Sequence, residues 1–260
     1  MGKANVTDRS RTFKTPAVIL RRSDFGEADR LLTLLTPHFG KIRAIAKGAR
    51  RPTSRSAGHV ELYTVVEMVV GEGRNLNIVT QIDLIEPFLP LHEDLNRIAY
   101  ANLFAELIDR FSADNEENAG AYELLVAGLG WLCEPEIDLR LAARYFELRL
   151  LEVMGYAPSL FECAVSGEEL QAEDQFYSAE DGGVVSASHA AGHSYMISLP
   201  LNDFKILRHF TRYQWAEVKK LKLRPENHFK LEQVLHSTIM YLLEQRLQSV
   251  AFLKRISNEF

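Results

Sequence analysis

At Pro87 and Pro90 the hydrophobic period of this 260-residue chain changes, and no other feature constrains the fold as much. Before the change, residues 14–86 hold five apolar or alternating runs: KTPAVILRR, ADRLLTLLT, GKIRAIAKG, ELYTVVEMVV and NLNIVTQIDLI. Clusters of Gly, Pro and Asp separate them, which is the punctuation of short strands. In Lys41–Lys47 the alternation is strict. Ile42, Ala44 and Ala46 fall on one face, and Lys41, Arg43, Ile45 and Lys47 on the other. Gly71-Glu72-Gly73 marks a hairpin turn between the last two runs. After the prolines, apolar residues recur at three and four, as in Leu103, Leu107 and Phe111 or Leu141, Tyr145 and Leu148. Helices are predicted over 91–112, 118–133 and 136–154, the last stopped by Gly155 with Pro158 beyond. Residues 156–200 lose the helical period and are rich in glycine. Helices resume over 201–223 and 226–252.

Five short strands in about seventy residues predict a small closed barrel or a sandwich, with the five-stranded oligonucleotide-binding barrel as the leading candidate. The fold class is therefore α+β. A barrel domain over 1–86 precedes a helical domain over 87–260, which carries a turn-rich insert at about 156–200. No apolar run approaches the roughly 18 residues of a membrane span. The polar start, MGKANVTDRSRTFK, has no apolar h-region. Two distant cysteines, Cys133 and Cys163, make no disulfide framework. The expected location is the cytoplasm, with no membrane partner.

Charge is zoned. The chain is acidic overall, at net -5, yet residues 1–84 carry 14 basic against 8 acidic side chains. Residues 85–187 carry 5 against 21, and residues 188–260 carry 11 against 6. Between Asp29 and Glu61 there is no acid at all, while Arg30, Lys41, Arg43, Lys47, Arg50, Arg51 and Arg55 fall in that window. Polyanion backbones are bound by cations arrayed along a surface, so this strand and its following loop are the expected polyanion-binding segment. Lys205, Arg208, Arg212 and Lys219 are spaced to share a helix face and would extend that surface. The central acidic body favours solubility and limits indiscriminate polyanion binding.

Other constellations carry less. Cys163, His189 and His193 are weak metal candidates, because CAVSG and SASH would be zinc half-sites only if Ser166 and Ser186 were cysteine. No phosphate-cradling loop, zinc-protease helix or nucleophile elbow is present, so no catalytic residue is assigned. A metal-dependent nuclease using Glu168, Glu169, Glu173 and Asp174 is one alternative, and a protein-only adaptor another. Arg140 and Arg144 share a face of the third helix; they either pair with neighbouring acids or rim a groove for an acidic, hydrophobic-ended peptide.

The run VILRRSDFGEADRLLTLLTPHFGKIRAIAKGARRPTSR, from Val18 to Arg55, closely resembles the N-terminal region of the RecO family of DNA-repair recombination mediators. Asp24, Gly26, Glu27, Asp29, Arg30, Gly40, Lys41, Lys47, Gly48, Ala49, Arg50 and Arg51 match its hallmark. Further similarity lies in 76–88, 146–163 and 241–253. The resemblance implies an oligonucleotide-binding barrel, a helical domain and a zinc-finger-like insert. It also implies binding of single- and double-stranded DNA, annealing of complementary strands and no nucleotide hydrolysis. The implied partners are the acidic C-terminal tail of the single-stranded-DNA-binding protein, RecR, and through RecR the RecA recombinase. Some members carry a four-cysteine site. This chain departs from it at Ser166, Ser186 and His189, so zinc is not expected and no cofactor is implied. The Arg140–Phe146 segment lies where the family's tail-binding pocket falls.

Overall fold

The computed structural model describes residues 12–51, 59–73, 76–191, 195–244 and 253. Five strands form a closed barrel: β1 (Thr12–Phe25), β2 (Asp29–Thr36), β3 (Gly40–Ala46), β4 (Val65–Gly71) and β5 (Asn77–Glu86). Their order around the barrel is β1-β2-β3-β5-β4, with β3 and β5 parallel and the other neighbours antiparallel. Closure depends on the length of β1. Its first half pairs with β4 and its second half with β2, and Val18 lies in both registers. One strand thus serves two neighbours, which removes the sheet edges.

The alternation read in the sequence decides what fills the barrel. Ala17, Ile19, Leu32, Leu34, Ile42, Ala44, Ala46, Met68, Val70 and Ile82 form its buried core. Each fully buried Leu, Ile, Val or Met stabilises the fold by roughly 1.5–3 kcal/mol. The strands and the α+β class are as expected from the sequence.

The chain divides into two compact units. One comprises residues 1–88 with 112–126; the other comprises 89–111 with 127–260. In the first unit, residues 112–118 run beside β3. Asp114 bridges Lys41 in parallel, and the Asn115 N–H donates to the Lys41 carbonyl at 2.8 Å. Gly40 has φ +62°, and a Cβ there would lie 1.9 Å from the Glu116 carbonyl oxygen. The approach is possible only for glycine.

The second unit is helical: α1 (Leu89–Glu93), α2 (Leu95–Phe111), the later part of α3 (Ala119–Cys133), α4 (Leu139–Val153), α5 (Leu201–Arg212), α6 (Trp215–Val218) and α7 (Pro225–Leu243). The helix α4 is buried almost all round, from Leu141 to Leu151, and packs against α2, α5 and α7. Phe104 of α2 stacks on Phe146 of α4, with ring centroids 3.8 Å apart.

Four predicted helices need their boundaries corrected. The span 91–112 is broken into α1 and α2 because Asp94 accepts from the N–H groups of Asn96 and Arg97 and starts a new helix. The span 136–154 starts at Leu139, where Asp138 caps Arg140 N–H and Leu141 N–H. The span 201–223 stops at Arg212. Tyr213 is extended there, and its carbonyl accepts from the Tyr145 hydroxyl at 3.1 Å. The span 226–252 stops at Leu243, where Glu244 caps the helix in the left-handed region at φ +50°; residues 245–252 lie outside the described residues.

The insert holds a three-stranded antiparallel sheet of β6 (Gln175–Ser178), β7 (Gly183–Val185) and β8 (Ile197–Leu199), in the order β7-β6-β8. Among the described residues, no helix is long and apolar enough to cross a membrane.

Candidate nucleic-acid interface

On the outer barrel surface the strand registers place side chains in rows. Arg21 of β1 pairs with Thr33 of β2, and Thr33 pairs with Arg43 of β3. The core residues Leu32, Leu34, Ile42 and Ala44 point inward, so this row points outward. Arg21 and Arg43 are both exposed.

Arg21 reaches that face through a β-bulge. Ile19 pairs with Leu34 and Arg21 with Thr33, leaving Leu20 as the extra residue. Strict alternation from Ala17 and Ile19 would turn residue 21 inward; the bulge resets the parity. Arg21 is therefore an interface candidate absent from the sequence-based set. The continuous apolar run Val18-Ile19-Leu20 hides the parity change, and the bulge leaves no signal of its own.

Several of the family-matching residues have structural partners. The Lys41 side chain is only 12% exposed, with its ammonium 3.3 Å from Asp114. Lys41, Arg43, Leu76, Asn77, Asp114 and Asn115 line an open cleft of about 350 Å3. Arg50 straps the turn that joins β1 to β2. Its guanidinium lies 3.2 Å from Asp24 and 3.4 Å from the carbonyls of Gly26 and Glu27, and its N–H donates to the Ala28 carbonyl. Asp29 accepts from the Gly48 N–H at 2.8 Å. Arg30 is half-buried and reaches the Val60 carbonyl at 3.5 Å. Lys47 and Arg51 are exposed, and Arg55 lies outside the described residues.

The C-terminal basic set does not share one helix face. Lys205, Arg208 and Arg212 lie on α5, whereas Lys219 caps α6 beyond the break at Tyr213. Arg208 is committed internally. Its Nε donates to the Leu160 carbonyl at 2.7 Å and Nη2 to the Leu170 carbonyl at 3.3 Å, with Phe204 stacked 4.0 Å beneath the guanidinium. Burial, and then the charge of Arg212, hold its pKa below the usual arginine value. Lys219 pairs with Glu134 at 2.7 Å, on the carboxylate that also accepts from the Trp215 indole. Arg212 is exposed and lies 5.0 Å from the Phe161 ring centroid.

Arg140 and Arg144 also separate. Arg140 is exposed on α4. Arg144 is buried, 2.8 Å from Glu147 and 3.6 Å from Glu232, so it does not rim an open groove beside Arg140. Burial pushes the Glu147 carboxyl up to about 7 against the opposing pull of Arg144, and Glu232 adds to the rise.

In the insert, the residues of the would-be zinc half-sites hold hydrogen bonds to one another. Ser186 N–H and Oγ lie 3.4 and 3.6 Å from the Cys163 sulfur, and Ser186 Oγ lies 2.9 Å from His189 Nδ1. Burial acts to raise the Cys163 thiol, but hydrogen bonds from Ser166 and Ser186 outweigh it and bring the pKa down to about 6. One thiol and one imidazole, both engaged by serines, do not fit a tetrahedral zinc set. His193 lies outside the described residues. Among those described, no three His, Cys, Asp or Glu side chains gather to hold a metal ion. Glu168, Glu169 and Glu173 are exposed, and Asp174 accepts from the Leu201 N–H that opens α5.

A closed five-stranded barrel with a cationic outer row, followed by a helical unit with a small β insert, defines an oligonucleotide-binding-barrel protein. Residues 10–88 match the family model for the recombination protein O N-terminal region, and residues 92–251 match that for its C-terminal region. The chain is 39% identical to the DNA repair protein RecO of Roseiflexus sp. (strain RS-1) over 246 residues, covering 94% of this chain and 86% of that protein. It is 36% identical to the RecO of Heliobacterium modesticaldum over 250 residues, covering 95% and 90% of the two chains. The identity is 33% with a RecO of Dehalococcoides mccartyi over 245 residues, covering 94% and 96%. The chain belongs to the recombination protein O (RecO) family.

Proposed function

We propose that this chain serves DNA repair as a recombination mediator that binds single- and double-stranded DNA without sequence preference and anneals complementary strands. With RecR it helps load RecA onto strands coated by the single-stranded-DNA-binding protein, acting in the cytoplasm on the nucleoid. The observation that carries the proposal is the in-register row Arg21–Thr33–Arg43 on the barrel, flanked by exposed Lys47 and Arg51. Cations in a row neutralise successive phosphates and release counterions without reading base edges. Arg55 belongs to the same stretch of sequence.

The mechanism is capture and alignment of strands, with no bond made or broken and no cofactor required. Arg140 is the cation on α4 available to the acidic tail of the single-stranded-DNA-binding protein, with Arg144 behind it as a buried support.

Fluorescence anisotropy of a labelled single strand across a salt series tests the proposal. Five neutralised phosphates predict a log–log slope of roughly -3.5. A flat response, or no binding at low salt, would overturn it.

A further inference from the structure

We propose that Phe25 is a base-stacking platform for single-stranded nucleic acid, at one end of the cationic barrel face; the proposal rests on the DNA-binding function inferred above. The bulge at Leu20 that turns Arg21 outward also turns Ser23 and Phe25 outward, since alternate residues of a strand share a face. Phe25 is the last residue of β1, opposite Asp29, and its exposure is 41%. The sequences of β1, β2 and β3 contain one other aromatic residue, Phe13. Phe13 packs against the barrel core and is covered by Phe39, with centroids 4.0 Å apart. Phe25 is thus the open aromatic ring on these three strands.

The rows between Phe25 and the cleft beside Lys41 offer no ring to a base. One is Ser23–Leu31–Ile45–Ile78 and the next is Arg21–Thr33–Arg43. A strand lying across them is held by its phosphates, and its bases meet aliphatic side chains or solvent. At the hairpin tip the chemistry changes. A base there meets a π face, and its neighbouring phosphates meet Lys47 and Arg51, which leave the barrel beside Asp29. Base–aromatic stacking is tolerant of sequence because every base has a π face.

Single exposed aromatic residues are ordinary on protein surfaces. Two further features set Phe25 apart. The first is its place on the same outward face of β1 as Arg21, two alternate positions further along the strand. The second is the fastening of its tip: Arg50 bonds to Asp24, Gly26, Glu27 and Ala28, and Asp29 bonds to Gly48. A platform fixed in advance loses little conformational freedom when a ligand arrives. A duplex keeps its bases stacked within the helix, so the platform favours single strands.

The test uses the full chain, wild type and Phe25→Ala, with three labelled probes of equal length: a mixed-sequence single strand, an abasic strand and a duplex. Phe25→Ala is expected to weaken single-strand binding roughly five- to a hundredfold, while the abasic strand and the duplex bind as to wild type. Phe25→Trp should retain single-strand affinity and show indole quenching by the single strand but not by the abasic strand, above the wild-type background of Trp131 and Trp215. This second variant keeps the proposal testable if Phe25→Ala fails to fold. Equal losses for all three probes, no loss for any, or quenching by the abasic strand would overturn the stacking role alone. Wild-type protein that binds none of the probes would overturn the DNA-binding function as well.

Discussion

Arg50 and Asp24 form an ion pair of 3.2 Å across the base of the turn that joins β1 to β2. Both Arg50 and the neighbouring Arg51 are exposed, but the Arg50 guanidinium also reaches two carbonyls of that turn. Two adjacent arginines of one basic loop therefore have different work. Arg50→Ala removes a half-exposed ion pair and two long hydrogen bonds, a loss of about 1 kcal/mol. Its thermal midpoint is expected to fall by roughly 2–4 °C, with the salt slope of DNA binding little changed. Arg51→Ala should leave the midpoint unchanged and flatten the slope. Thermal melts and salt titrations of the two single variants separate the roles.

Gly40 begins β3 in the left-handed region, against the backbone of Glu116. Alanine there meets both a backbone penalty and a clash with main-chain atoms that have no rotamer to adopt. Gly40→Ala is expected to destabilise the protein by at least ~2 kcal/mol. The denaturant midpoint checks this, and an unchanged midpoint would show that residues 112–118 do not hold the close approach to β3.

Glu147 gives the helical unit a pH dependence. Its carboxyl is buried beside Arg144 and Glu232, and burial raises its pKa to about 7 from an ordinary value near 4.5. A raised carboxyl pKa means that the folded state holds a proton the unfolded chain releases. Stability from this group is present at about pH 4.5 and declines as pH rises through 7. The opposite direction belongs to Asp138, whose carboxyl is lowered. Burial there acts upward but is outweighed by His228 and by the N–H groups that open α4. Between pH 5 and 8 wild type should therefore lose several degrees of thermal midpoint that Glu147→Gln does not lose. Parallel pH profiles for the two proteins would contradict this.

Much of the barrel was legible because the sequence pattern and the burial agree residue by residue: Ile42, Ala44 and Ala46 point in, and Lys41, Arg43 and Lys47 point out or sideways. What stayed hidden depended on distant partners. Lys41 read as a free cation because nothing local announces Asp114, seventy-three positions along the chain. Arg208 had the spacing of a surface stripe, but its donors go to carbonyls of the insert at Leu160 and Leu170. Arg144 is taken into the interior by Glu147 and Glu232. Arg21 was missed because a bulge inside an apolar run has no signature in composition or period. The break after Arg212 follows from Tyr145 holding the Tyr213 carbonyl, a contact between residues sixty-eight apart.

The proposed function predicts that the barrel face, and not the C-terminal helices, carries the DNA. The measurement is the salt dependence of single-strand binding for two triple variants, Arg21→Ala/Arg43→Ala/Lys47→Ala on the barrel and Lys205→Ala/Arg212→Ala/Lys219→Ala on the helical unit. Each lost phosphate contact should flatten the slope by about 0.7 on single strands. The barrel variant is predicted to flatten it by roughly 2 and to lose most of its affinity, while the helical variant tracks wild type. A helical variant that loses the slope while the barrel variant keeps it would place the DNA on the C-terminal helices instead.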